Sequence, residues 1–218
     1  MDIGIKQALG KAVDNPLPVS WLGRADAPLS PTVLSIPQLS ISNIKNLQAQ
    51  IGYDQSLWNY NKIGPNNELG RYQFSTTTLE SYGLLAEGSN KNYGTDCVNF
   101  SASWRPITIR KNTNSYANYN YNITSLNGFL TSTASQEHLA DQLILDIYTS
   151  LVNINGIMAD DTPDVVAGMI YVGWVLGPGA GPNPQSLQGT GAWAWRYFSQ
   201  GNATNAFNSG RYAVTVLS

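Results

Sequence analysis

The twelve residues from Val165 to Leu176 constrain this chain more than any other stretch, because they carry no charge and are apolar on every side. A helix that is apolar all round has to be surrounded, so this segment is expected to be the central helix of the core. Its ends are marked. Thr162-Pro163-Asp164 offers a hydroxyl cap, a proline at the first position and an acid in the first turn, and Gly177-Pro178-Gly179 stops it. The stretch is too short to span a bilayer and is interrupted by Gly168 and Gly173, so no membrane span is expected.

The remaining elements are read around that helix. Ser135 to Val152 has an apolar stripe at Leu139, Leu143, Ile147 and Leu151, which predicts a long helix packed on the central one. Ser42-Asn43 is expected to cap a helix running through Gln55, with Ile44, Leu47 and Ile51 inward. Thr76 to Leu85 reads as a short helix ending near Gly88, and Ala192 to Phe198 as a last one. Residues 89–128, rich in Asn, Tyr, Ser and Thr, lack a helical period and are expected as loop, with a hairpin around Ile107 to Ile109. Glu80 and Glu137 are expected on helix surfaces or as caps, and His138 in solvent near a helix start. The predicted class is mainly α.

Residues 1–43 differ from the rest. Pro16, Pro18, Pro28, Pro31 and Pro37 are interleaved with Leu17, Trp21, Val33, Leu34 and Ile36. Proline removes a donor and fixes φ, so the segment reads as an extended arm, with at most a short helix at Ile3 to Val13. Such an apolar arm needs a surface, and a neighbouring subunit is the favoured one. The domain division is therefore an arm at 1–43 and a globular part at 44–218.

Charge narrows the partners. Only 12% of residues are charged and the net charge is −2, which leaves no basic field for tracking phosphates; nucleic acid is not expected. Polar amides and hydroxyls must finish the surface, which suits burial in an assembly or life outside a cell. With one cysteine, Cys97, and one histidine, His138, neither a disulfide framework nor a zinc site is expected. Asp160, Asp161 and Asp164 lack calcium-loop spacing and read as helix caps. No cofactor is implied. The start shows no charged segment followed by an apolar one, so a secretory leader is not expected. Rings at Tyr116, Tyr119 and Tyr121, and at Trp193, Trp195, Tyr197 and Phe198, are open to two readings, sugar platforms or protein contacts.

Residues 55–74 read Gln-Ser-Leu-Trp-Asn-Tyr-Asn-Lys-Ile-Gly-Pro-Asn-Asn-Glu-Leu-Gly-Arg-Tyr-Gln-Phe. This resembles the signature of the lysozyme-like lytic transglycosylase domains carried in phage tails and baseplates. There Glu-Ser-Gly-x-x-Tyr-Asn precedes a turn and then Leu-Gly-x-Tyr-Gln-Phe. Gln55 stands eighteen residues before Gln73, the family's distance from catalytic glutamate to cleft glutamine. Weaker pieces follow in order: Phe129-Leu130 through Gln136-Glu137, Val166-Ala167-Gly168 through the glycine turn at 177–179, and Thr190-Gly191 through Gly210-Arg211-Tyr212. The likeness covers about residues 44–212. It implies a lysozyme-like fold, with Gln55, Tyr72, Gln73 and Trp174 lining a saccharide groove.

Cleaving a glycosidic bond needs a proton delivered to the leaving oxygen. In that family a carboxylic acid held neutral in a partly apolar cleft supplies it. Here Gln55 carries an amide, which cannot donate a proton at useful pH. Asp54 and Glu68 are the fallback acids. Asp54 is rotated from Gln55 by about 100° on a helix, and Glu68 sits in the turn leading into the motif. Leu57 replaces the glycine after Ser56 and is expected to crowd the turn, and Trp174-Val175 stands where the family often has Tyr-Asn. The resemblance therefore implies a virion component of tail or baseplate, with an inactive lysozyme-like fold that engages other virion proteins through its arm and peptidoglycan through its groove. The alternative is an active peptidoglycan transglycosylase or muramidase delivered by the particle.

Overall fold

A computed structural model of the chain describes residues 35–105, 122–179, 190–198 and 203–215. The arm up to residue 34, the hairpin expected at Ile107 to Ile109 and the rings of Tyr116, Tyr119 and Tyr121 lie outside them. The described residues are mainly helical, and among them β-pairing is limited to isolated bridges. The chain divides into two compact units. One contains the described residues of 52–140; the other contains residues 35–51 and the described residues from 141 onward. Two helices contribute to both: α1, Ile41–Ser56, and α5, Thr133–Asn153.

The cap of α1 lies two to three residues before the expected one. Ser40 and Asn43 cap each other reciprocally, Asn43 N–H donating to Ser40 Oγ and Ser40 N–H to Asn43 Oδ1, both at 3.0 Å. Asn43 is thus the third helical residue, and Ser40 is the cap. Ile44, Leu47 and Ile51 are buried as expected.

In the unit built from 35–51 and 141 onward, the central helix is α6, Pro163–Leu176. Val166 to Gly173 are all buried, while Trp174 is half-buried and Val175 is exposed, so the sheath ends one turn before the helix does. Thr162 has extended backbone but caps no helix N–H; its hydroxyl goes to the Asp164 carboxylate, which also accepts from Arg211 Nε at 2.9 Å. On one side of α6 a Cβ at Gly173 would lie 2.4 Å from an Ile147 methyl of α5. On another lies α8, Thr204–Thr215, a helix the sequence reading did not find. A Cβ at Gly168 would overlap the Phe207 ring, and one at Gly210 would come within 2.6 Å of Ala167 O. These glycines let α6 and α8 approach to backbone contact. α7, Gly191–Phe198, adds Trp195, buried and 4.9 Å from the Phe207 ring. Trp193 is buried as well, so neither indole is a sugar platform.

α5 departs from its expected stripe. Its buried apolar residues are Leu139, Ala140, Ile144, Ile147 and Leu151, while Leu143 is only half-buried. The sequence 140, 144, 147, 151 mixes threes and fours and stays on one line.

In the unit of residues 52–140 the helices are short and held by side chains. α2, Thr76–Ser81, is capped by Ser75 Oγ, which accepts from Thr78 N–H at 3.1 Å, and it ends at Tyr82 before Gly83 at φ 75°. It is thus shorter than the expected Thr76 to Leu85. The stretch expected as loop contains α3, Ser89–Tyr93, 3₁₀ turns at Gly94–Asn99 and Ser101–Ser103, and α4, Leu126–Thr131, capped by Ser125. None is long enough to show a period. Each is fixed by specific bonds instead: the Glu80 carboxylate takes Gly88 N–H at 2.6 Å and Asn90 N–H at 2.8 Å, and Trp104 Nε1 donates to Val98 O at 2.8 Å. Phe129 packs edge-on to Phe74 and against Trp104, which makes an aromatic core.

Candidate functional site

The C-terminal turn of α1 brings Asp54, Gln55 and Ser56 to a sharp reversal. Leu57 and Trp58 both have left-handed backbone, φ 54° and 63°, and Trp58 N–H reaches back to Gly52 O at 3.1 Å. Helices commonly end this way with glycine in the left-handed position. Leu57, expected to crowd the turn, has a side chain that is 66% exposed, so it strains the backbone rather than crowding the turn.

The Leu69 to Phe74 segment closes on itself, Leu69 N–H donating to Phe74 O at 2.9 Å and Phe74 N–H to Leu69 O at 3.0 Å. Ser56 Oγ donates to Arg71 O at 2.6 Å, which joins the end of α1 to this turn. Lys62 Nζ donates to Gln55 O at 2.6 Å and fixes the backbone there. The Gln55 side chain is half-buried. Gln73, itself left-handed at φ 51°, donates its amide to Gly70 O at 2.8 Å. The Gln73 amide oxygen and the Glu68 carboxylate both lie against Gly64, where any Cβ would overlap them.

Beneath the turn lies a cluster of four side chains. Tyr60 Oη and Tyr72 Oη each donate to Glu137 at 2.6 Å, Arg71 NH1 donates to Tyr60 Oη at 2.6 Å, and Arg71 NH1 stands 3.3 Å from the Glu137 carboxylate. Arg71, Tyr72 and Glu137 are fully buried. Gln136 completes the frame. Its Oε1 accepts Arg71 N–H at 2.8 Å, and its Nε2 donates to Phe129 O at 3.0 Å and Tyr60 O at 3.1 Å. Gly70, at φ 75°, is required because a side chain there would overlap the Gln136 amide.

These contacts correct two expectations. Glu137 is neither surface nor cap: α5 carries it inward, where Arg71 and two hydroxyls compensate its charge. Burial pushes its carboxyl up, against the pull of Arg71 and the tyrosines, and the net direction is up. The same burial, with the neighbouring carboxylate, raises both tyrosines. His138 is buried rather than solvated, and burial pushes its pKa down to about 4.

Tyr72, expected to line the groove, is also corrected. It is inaccessible, its hydroxyl is held by Glu137, and its ring lies 5.6 Å from Phe74. Partial burial would raise Glu68, but Asn66, donating from its N–H and its Nδ2 at 3.0 Å each, together with Lys62, brings it below the usual carboxylate range. A proton donor needs the opposite shift. Asp54 is half-buried beside Gln55 in sequence, and Trp174 belongs to the other unit, on α6. Asp161 pairs with Arg196 through both its oxygens, at 2.6 and 2.9 Å, and Asp164 pairs with Arg211. Among the described residues no three His, Cys, Asp or Glu side chains group as metal ligands, and no helix is long and apolar enough to cross a membrane.

Nothing in the sequence joined Tyr60, Arg71, Gln136 and Glu137 into one scaffold. The signal was present, since all four sit inside the stretches that carry the resemblance, but sequence order does not show that two distant stretches interlock. Comparison of the chain with family models, with curated proteins and with solved structures gives no match.

Proposed function

We propose that this chain is a structural component of a phage tail or baseplate, built on a lysozyme-like fold that no longer cleaves peptidoglycan. One observation carries the reading: Ser56 ties the Leu-Gly-Arg-Tyr-Gln-Phe turn to the end of α1, and the frame of Tyr60, Arg71, Gln136 and Glu137 ties it to α5, while the residue before Ser56 is Gln55. What persists is the support of a site; what is missing is its acid. General acid–base catalysis is typically worth ~10²–10⁴-fold, and neither an amide nor a carboxylate held below its usual range supplies it. Glycan contact without cleavage remains within reach of Gln55 and Gln73. The low charge of the chain fits burial among other virion proteins, with the arm at 1–43 as the anchor.

Two measurements test this. Mass spectrometry of purified particles should find the chain, and its absence there removes the structural reading. Purified protein should clear a cell-wall suspension no faster than buffer, and Gln55→Glu alone should restore little. Lysis at an enzymatic rate that Glu68→Gln abolishes would assign the chemistry to Glu68 and overturn the proposal.

A further inference from the structure

Outside the stretches that carry the resemblance, residues 86–103 form a cavity of about 420 Å³ with no role in the network around Gln55. Its walls include Tyr93, Phe100, Glu87, Asn92, Ala86 and Ala102. Tyr93 is 55% exposed and Phe100 48%, and their rings stand 5.1 Å apart at 47°, forming an angled pair open to solvent. The floor is fixed. Ala86 N–H donates to Ser103 O at 2.7 Å, Arg105 N–H to Leu84 O at 2.9 Å, and the Glu80 carboxylate pins the chain at Gly88 and Asn90. Two large rings held out on a rigid floor are preorganised for a ligand, since little ordering remains on binding.

The walls indicate which ligand. A pyranose has an apolar C–H face and an equator of hydroxyls, and this cavity has aromatic faces beside an amide and a carboxylate. An apolar protein side chain would use the rings but leave Glu87 and Asn92 desolvated without return. Among the described wall residues Glu87 is the one charged group, so the wall favours a neutral ligand over an anionic one. We infer that the Tyr93–Phe100 cavity is a binding site for a neutral pyranose unit of a glycan. The inference goes beyond the proposed function, because it needs neither Gln55 nor the arm.

Amide NMR of the full chain titrated with chitotriose tests it. Resonances of Asn92, Tyr93, Phe100 and Ala102 should shift and saturate in the millimolar range. Tyr93→Ala, a substitution at an exposed ring that leaves the fold intact, should weaken binding at least about tenfold, equivalent to about 1.4 kcal/mol. Trigalacturonate, similar in size but acidic, should bind at least about tenfold more weakly than chitotriose, and Glu87→Gln should narrow that gap. No shift at these residues, shifts confined to the neighbourhood of Gln55 and Gln73, or undiminished binding by Tyr93→Ala would each overturn the site. Rings silent to both sugars but protected from hydroxyl-radical footprinting in the intact particle would overturn it too, and would make the pair a protein contact. Particle content and cell-wall clearing do not depend on this cavity, so the two proposals fail separately.

Discussion

The packing around α6 and the turn beside Gln55 are held together by different physics. Around α6 the contacts are methyl against glycine and ring against ring, with Gly168, Gly173 and Gly210 letting neighbours come close. Beside Gln55 they are directed bonds among an arginine, a carboxylate, two hydroxyls and an amide. Dispersion contacts are numerous and individually weak, so a loss there is graded. A buried polar network depends on every member, and removing one strands the others. The contrast predicts an abrupt response in one region and a proportionate one in the other.

The largest effect is expected at Glu137. Glu137→Leu leaves Arg71 buried without its countercharge and two tyrosine hydroxyls without an acceptor. Breaking a buried pair on one side typically costs about 3–5 kcal/mol, a large share of a domain's stability. Denaturant melts should show this loss, and the double variant Arg71→Met with Glu137→Leu should be more stable than the sum of the singles implies. A single-variant cost below about 1 kcal/mol would show that the cluster behaves like a surface pair, and the comparison would collapse.

Next comes the apolar side. Ile144→Ala and Ile147→Ala should each cost about 2–5 kcal/mol, the usual range for a buried large-to-small change. Leu143→Ala should cost clearly less, because that side chain is only half-buried. Equal losses at Leu143 and Ile144 in the same melts would mean that the inward face of α5 is misassigned.

What could be read from the sequence follows the same division. α6 was legible because an uncharged run between Thr-Pro-Asp and Gly-Pro-Gly has one physical solution. The inward line of α5 was legible at Leu139, Ile147 and Leu151 but not at Ile144, which is buried while Leu143 is only half-buried. α3 and α4 were invisible, because five or six residues show no period and their order comes from Glu80 and Ser125. α8 was missed because its pattern is interrupted by Asn208, Ser209 and Gly210, all buried against the rest of the unit. At the site, the end of α1 near Gln55 was legible from the helix signals. The burial of Tyr72 and Glu137 was not, because a carboxylate on a helix reads as surface until its partners, sixty to eighty residues away, are known.

Acid should sharpen the contrast through His138. Its folded pKa of about 4 lies below the ordinary 6.5, so between these values the unfolded chain binds the proton and the folded chain does not. Stability is therefore full above about pH 6.5 and is lost as pH falls toward about 4, by up to roughly 3 kcal/mol. Glu137 has the opposite sign, since its raised carboxyl favours the folded state on protonation. Glu68 and Asp164, both lowered, contribute losses only from the carboxylate range downward. Denaturation across this window should thus be steeper in the parent than in His138→Gln. Parallel pH profiles would show that the imidazole is hydrated in the fold.

The smallest effect, and the one with the opposite sign, is expected at Leu57. A leucine in left-handed backbone costs about 1–2 kcal/mol relative to its preferred conformations. Glycine removes that cost but makes the unfolded chain more disordered, by about 0.5–1 kcal/mol. Since Leu57 is 66% exposed, little burial is lost with its side chain. Leu57→Gly should therefore be neutral to stabilising by up to about 1 kcal/mol, raising the melting temperature by roughly 2–4 °C at most. Leu57→Asn should gain part of this, because asparagine tolerates the left-handed region better than leucine. A destabilising Leu57→Gly would mean that the leucine makes a contact its exposure conceals. The end of α1 would then belong with the tightly packed helix core rather than with the bonded turn, and the two regions would no longer differ in kind.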